Sequence, residues 1–176
     1  MRLAPALLCL FAATAAAQTD RTWKLTKASL TYHMSHPVHE VDGTSHSALG
    51  KGVCHAGTCD FLIAVPVKTF DSGDSNRDLH MLQVTRGAEF PLVTVRVRIA
   101  EDRLQQPTLD CDLEVTFSGN TAHYAHVPFQ QTVTGEDHHI TGTVPATVAD
   151  FKIPPPSFLM MPIKNEIPIK VDMTWR

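Results

Sequence analysis

Leu109-Asp110-Cys111-Asp112-Leu113-Glu114-Val115-Thr116-Phe117 alternates apolar and polar residues without a break. Successive side chains of an extended chain point to opposite faces, so Leu109, Cys111, Leu113, Val115 and Phe117 share one face and the acidic residues and Thr116 share the other. Such a segment is a half-buried antiparallel strand with a wet outer side. The same period of two groups Phe61, Ile63, Val65 and Val67, then Val93, Val95, Val97 and Ile99, then Ile167, Ile169, Val171, Met173 and Trp175. Weaker alternation over residues 23–34, 44–54, 123–133 and 139–148 brings the expected number of strands to eight. Eight antiparallel strands, each with one apolar face, either stack as a sandwich or close as a barrel, and closure removes the exposed edges. The inward residues are aliphatic and aromatic, with no polar group to orient a polar substrate, which favours an all-β, eight-stranded barrel around an apolar cavity.

One segment breaks the β-pattern. Phe70-Asp-Ser-Gly-Asp-Ser-Asn-Arg-Asp-Leu-His80 is turn chemistry running into a short helix. Ser75 is the expected N-cap, with Asp78 reaching back to it, and Gly87 the expected stop. Leu79 and Leu82 supply a brief apolar stripe. A helix this short forms no core alone, so it is expected to lie across the barrel as a lid at its mouth.

The first seventeen residues carry Arg2, an apolar run over residues 7–11 and Ala15-Ala16-Ala17. Together these read as a secretory signal peptide cleaved before Gln18, which points to the periplasm or to full secretion. The run falls well short of the ~20 residues a membrane span needs. Residues 18–176 are then one domain, without repeats or a linker. Lys and Arg number 15 against 18 Asp and Glu, so the chain has no basic footprint for nucleic acid. No segment reads as an integral membrane anchor.

The cysteines beyond the leader are Cys54, Cys59 and Cys111, an odd number for an oxidising compartment. Cys54 and Cys59 flank His55-Ala56-Gly57-Thr58, a hairpin loop that would set them opposite one another and let them close a disulfide. Cys111 falls on the apolar face and reads as a small buried hydrophobe. There are ten histidines, and His33, His36 and His39 recur at intervals of three. Pro37 argues against the helix on which they would converge, so zinc or copper binding by these residues, with His46, His55 and the cysteine pair, is a weaker second reading. A hydrolase is the third. Gly73-Asp74-Ser75 resembles the start of one esterase motif, but the sequence has no late Asp-x-x-His, no Gly-x-Ser-x-Gly elbow and no His-Glu-x-x-His.

Asp71-Ser-Gly-Asp-Ser-Asn-Arg-Asp-Leu-His80, followed by Phe90-Pro-Leu-Val-Thr-Val95, resembles the signature of the YceI-like family, small exported proteins of lipocalin-like shape. Ser29-Leu-Thr-Tyr-His33, Leu113-Glu-Val-Thr-Phe-Ser-Gly-Asn-Thr121 and Asp150-Phe-Lys-Ile153 resemble further stretches of that family, in the same order along the chain. Lys152 departs from the pattern, which often has glycine there. The resemblance implies a non-catalytic barrel, often a homodimer, that holds a polyprenyl or quinone-type lipid in an apolar tunnel and needs no cofactor. Its contacts would come from Phe61, Ile63, Val65, Leu79, Leu82, Phe90, Val95, Val97, Leu113, Val115 and Phe117, which are core residues first and ligand contacts second. Arg77 and Asp78 match the motif at the mouth. They either fix the lid helix by capping and ion pairing, or Arg77 meets a pyrophosphate or quinone head group.

Overall fold

The computed structural model describes residues 20–36, 39–154, 157–158, 161–162 and 164–176. The expected signal peptide, residues 1–17, lies outside them. The strands are β1 (Arg21–His36), β2 (His39–Ser45), β3 (Leu49–His55), β4 (Thr58–Pro66), β5 (Leu92–Ala100), β6 (Thr108–Phe117), β7 (Asn120–Thr134), β8 (Asp137–Val144), β9 (Ser157–Phe158), β10 (Met161–Pro162) and β11 (Ile169–Trp175). One α-helix, α1 (Ser75–Val84), lies between β4 and β5.

Around the sheet the order is β1, β3, β4, β5, β6, β7, β8, β11, and β11 returns to β1 through pairs such as Leu30 with Val171 and Ala28 with Met173. Every pairing is antiparallel, so the expected eight-stranded lipocalin-like barrel is present. The strand expected over residues 44–54 is in fact two. β3 pairs with the first residues of β1, Arg21–Lys24, and β2 pairs with its far half, Leu30–His36. The two pieces share one barrel position. They are separated where the buried Ser45 hydroxyl bonds the Thr69 hydroxyl and accepts the Ser47 amide, which takes the chain out of the ladder. β2 is tied on its other side to the lid loop, Thr44 exchanging both backbone hydrogen bonds with Asp71.

β7 carries a bulge that the alternation did not reveal. Leu113 faces Tyr124 while Cys111 faces Val127, so one extra residue lies in β7. His126 takes it up in a left-handed conformation (φ 57°), with its amide held by Asp112. The bulge shifts parity, so that Tyr124 and Val127 both turn inward. Two other expected boundaries move. β8 stops at Val144 rather than residue 148, where the Ala146 amide turns back to the Val144 carbonyl ahead of a 3-10 turn over residues 149–151, and β11 starts at Ile169 rather than 167. That turn ends on Lys152 in the left-handed conformation (φ 54°, ψ 30°), the geometry that glycine adopts without steric cost.

The lid helix starts one residue earlier than expected. Asp74, not Ser75, is the N-cap and accepts from the Asn76 and Arg77 amides, bonds that hold its carboxyl below the ordinary range. Asp78 does not close a capping box with Ser75. It receives the Ser72 amide and hydroxyl instead, fastening the helix to its own lead-in. At the other end Arg86, not Gly87, is left-handed (φ 54°), and the Gly87 amide reaches back to the Leu82 carbonyl in a Schellman arrangement.

An apolar barrel cavity with a sealed floor

The two ends of the barrel differ. At the end made by the β3–β4, β5–β6 and β7–β8 connections, Trp23, Leu104 and Trp175 are each no more than 5% exposed. Phe61 meets Trp175 edge-on with ring centroids 5.1 Å apart, and Trp23 stands behind Phe61 at 6.2 Å. His138 meets Trp23 edge-on at 4.6 Å. Two glycines make room for this layer. A Cβ at Gly52 would lie 2.4 Å from the Phe61 ring, and one at Gly50 would lie 2.6 Å from the Trp175 ring. Beneath the rings Gln131 donates to the Leu104 and Gln106 carbonyls and accepts from the His138 imidazole, so the 3-10 turn Glu101–Gln105 is drawn over the end as a cap. Burial, reinforced by the Arg21 charge and opposed by Asp137, lowers the pKa of His138, so the ring is kept neutral. A disulfide joins Cys54 to Cys59 across the β3–β4 hairpin, whose two turn residues Ala56 and Gly57 both have positive φ, and the Trp23 indole donates to Cys54 Sγ at 3.2 Å.

Above that floor lies a cavity of about 290 Å³. Its middle wall is Val95, Val97, Leu113, Val115, Ile140 and Val171, all aliphatic. Cys111 also lines it. Burial first, then the neighbouring Asp110 and Asp112, push this thiol up to about 11, so it stays protonated and inert. At the opposite end the lining includes half-buried Tyr32, Met34, Phe70 and Arg77 and the exposed His80, and here the cavity reaches solvent beside α1.

The mouth is where polar groups gather. Arg77 donates through Nε to the Ser72 hydroxyl and through Nη2 to the Ser72 carbonyl, at 2.8 and 2.7 Å. Tyr32 is held above its ordinary pKa by burial and by Asp78, against the opposing pull of Arg77 and Ser72. Across the opening Tyr124 donates to Asp150 at 2.7 Å. Burial and that carboxylate raise the phenol's pKa, while the Tyr124 and Thr147 bonds outweigh burial at Asp150 and lower its pKa.

Of the residues expected to meet a ligand, Phe61, Ile63, Val65, Val95, Val97, Leu113, Val115 and Phe117 line the cavity, and so does Arg77. Leu79, Leu82 and Phe90 do not. Leu79 is 56% exposed on the outer side of α1. Leu82 folds back against Gly87 at the helix end, and Phe90 packs over Gly119 with the Arg86 guanidinium stacked on its ring. A helix this short turns only one narrow face to the barrel, and Arg77, His80, Met81 and Val84 occupy it. Reading Leu79 and Leu82 as that face placed it one residue too far round. The polar lining by Tyr32, His80, Thr85 and Tyr124 was missed altogether. The parity of Tyr32 within β1 was a signal that could have found it.

Of the three regularly spaced histidines, His33 alone has a described side chain. His33 bonds Asp42 through Nδ1 and lies within hydrogen-bond distance of Ser35 through Nε2, while the side chains of His36 and His39 lie outside the described residues. Among the described residues the one group of three donors close enough for a metal is Cys54, Cys59 and Glu101, and its two sulfurs are bonded to each other.

No protein-family model matches the sequence, and no curated protein matches it. Solved structures do. One is BcnA of Burkholderia cenocepacia, with a TM-score of 0.70 at 13% identity over 84% of this chain and 95% of that one. Another is a polyisoprenoid binding domain from Saccharophagus degradans implicated in plant cell wall breakdown, with a TM-score of 0.70 at 10% identity over 88% of this chain and 97% of that one. The chain thus shares the barrel fold of these two proteins.

Proposed function

We propose that this chain is a YceI-like carrier, an exported, non-catalytic protein that sequesters a long-chain isoprenoid lipid, tail inward, in the barrel cavity. The observation that carries the reading is the closed aliphatic wall ending in a solvent-facing rim of Tyr32, Arg77 and His80. That wall offers a tail area to bury and the rim offers a head group hydrogen bonds. Each buried methylene contributes about 0.8 kcal/mol, so a prenyl unit of about five carbons contributes on the order of 4 kcal/mol. The association cost is about 4–15 kcal/mol, so a few units suffice without polar anchors. The polyisoprenoid binding domain of the same fold supports the ligand class. The leader-like residues 1–17 and the Cys54–Cys59 disulfide support an oxidising compartment outside the cytoplasm, the periplasm or beyond. Among the described residues no helix is long and apolar enough to cross a membrane. The test is solvent extraction of protein purified from its native host, read by mass spectrometry. A prenyl or quinone-type lipid in stoichiometric amount is expected; repeated recovery of lipid-free protein refutes the carrier reading.

A further inference from the structure

The cavity is a blind tube. At the floor end its lining is Phe61 and Trp175 together with Ile99, Leu104, Leu109 and Phe129, while Trp23, His138 and the Cys54–Cys59 disulfide, behind the two rings, do not line the cavity. At the two rings the floor is therefore two side chains thick. Phe61 is backed by the Gly52 backbone, Trp23 and Trp175, and Trp175 packs against Gly50, so neither ring retreats from the cavity without displacing the layer behind it. A tail that enters past α1 must stop there, with its head group left at the rim. About 290 Å³ is also at the small end of the range for ligand pockets.

We infer that Phe61 and Trp175 are the gauge that sets the longest prenyl tail the cavity takes, so that the ligands are prenyl lipids with tails shorter than undecaprenyl. The inference rests on the carrier reading above. Within it, each further prenyl unit gains affinity by burial until the tail end reaches the two rings, and any unit beyond that stays in water and gains nothing.

The experiment is a length ladder. Purified protein is titrated with geraniol, farnesol, geranylgeraniol, longer all-trans prenols and undecaprenol, and the affinity of each is read by displacement of a fluorescent fatty probe. For the unsubstituted protein the affinity should rise along the ladder and then level off before undecaprenol. Phe61→Ala should move the plateau to longer prenols. The first prenol beyond the old limit should gain at least about tenfold, the value of roughly two further buried methylenes. Phe61→Leu is the milder variant, with the same direction expected, should the alanine protein fail to melt cooperatively. Val95→Ala, in the middle of the wall, should change affinity for all lengths together and leave the plateau where it was. Affinity that keeps rising through undecaprenol, or a plateau unmoved by both Phe61 variants, overturns the gauge while leaving the carrier standing. Failure to retain any prenol overturns both.

Discussion

Gly52→Ala tests the floor where it is tightest. The new methyl would lie 2.4 Å from Cδ1 and 2.5 Å from Cε1 of Phe61, distances at which the ring must move. Trp23 and Trp175 close off two directions, so the ring is driven toward the cavity and out of its packed rotamer. Overpacking of this kind costs about 1–3 kcal/mol. For a domain of this length each kcal/mol lowers Tm by about 2–4 °C, so a fall of about 2–12 °C is expected by scanning calorimetry of the lipid-free protein. The cost belongs to one contact, so Phe61→Leu in the same chain should restore part of the loss, with a coupling of at least about 0.5 kcal/mol in a double-mutant cycle. Lys51→Ala, next along the strand but pointing outward, is the control and should melt within about 0.5 kcal/mol of the unsubstituted protein. If Gly52→Ala melted like the unsubstituted protein, or if the two substitutions were additive, the ring would not be confined as described, and the two-layer floor would lose its basis.

Reducing Cys54–Cys59, or replacing both cysteines with serine, should cost about 2 kcal/mol, the chain-entropy value for so short a loop, and lower Tm by about 4–8 °C. The lowered pKa of His138 makes stability depend on pH in a fixed direction. The unfolded chain takes up a proton that the folded chain resists, so stability is full above the ordinary imidazole pKa of 6.5 and is lost as pH falls toward the depressed native value. Urea midpoints measured across that range should therefore decline toward acid, and the decline should lessen in His138→Gln. Leu79→Ser should leave both melting temperature and lipid affinity unchanged within about 0.5 kcal/mol, because the side chain faces solvent. A loss of lipid affinity in that variant would put the outer face of α1 back into the binding site.

The strands were legible because one face of each is buried, and burial of one face imposes a period of two that survives any uncertainty about neighbours. The lid helix was legible for the opposite reason, as the one place where turn residues displace that period. What stayed hidden was whatever depends on backbone conformation without a matching residue type. His126, Arg86 and Lys152 all adopt left-handed geometry that glycine would have announced, and so the bulge in β7, the true end of α1 and the late turn could not be placed from residue identity. Hollowness was hidden differently. An aliphatic residue on an inward face serves a packed core and an open tube equally well, and Val95 or Leu113 alone decides nothing. The deciding pattern is the order of sizes along the barrel axis. Trp23, Phe61 and Trp175 crowd one end, Phe70, Phe117 and Phe151 the other, and the residues between them are mostly valine, leucine and isoleucine. Side chains of that middling size leave the centre of the barrel unfilled, whereas at the floor the packed aromatic rings reach across and close it. Depth along the axis follows from strand register, so the size gradient was present in the sequence but became readable only once the pairing of each strand was known.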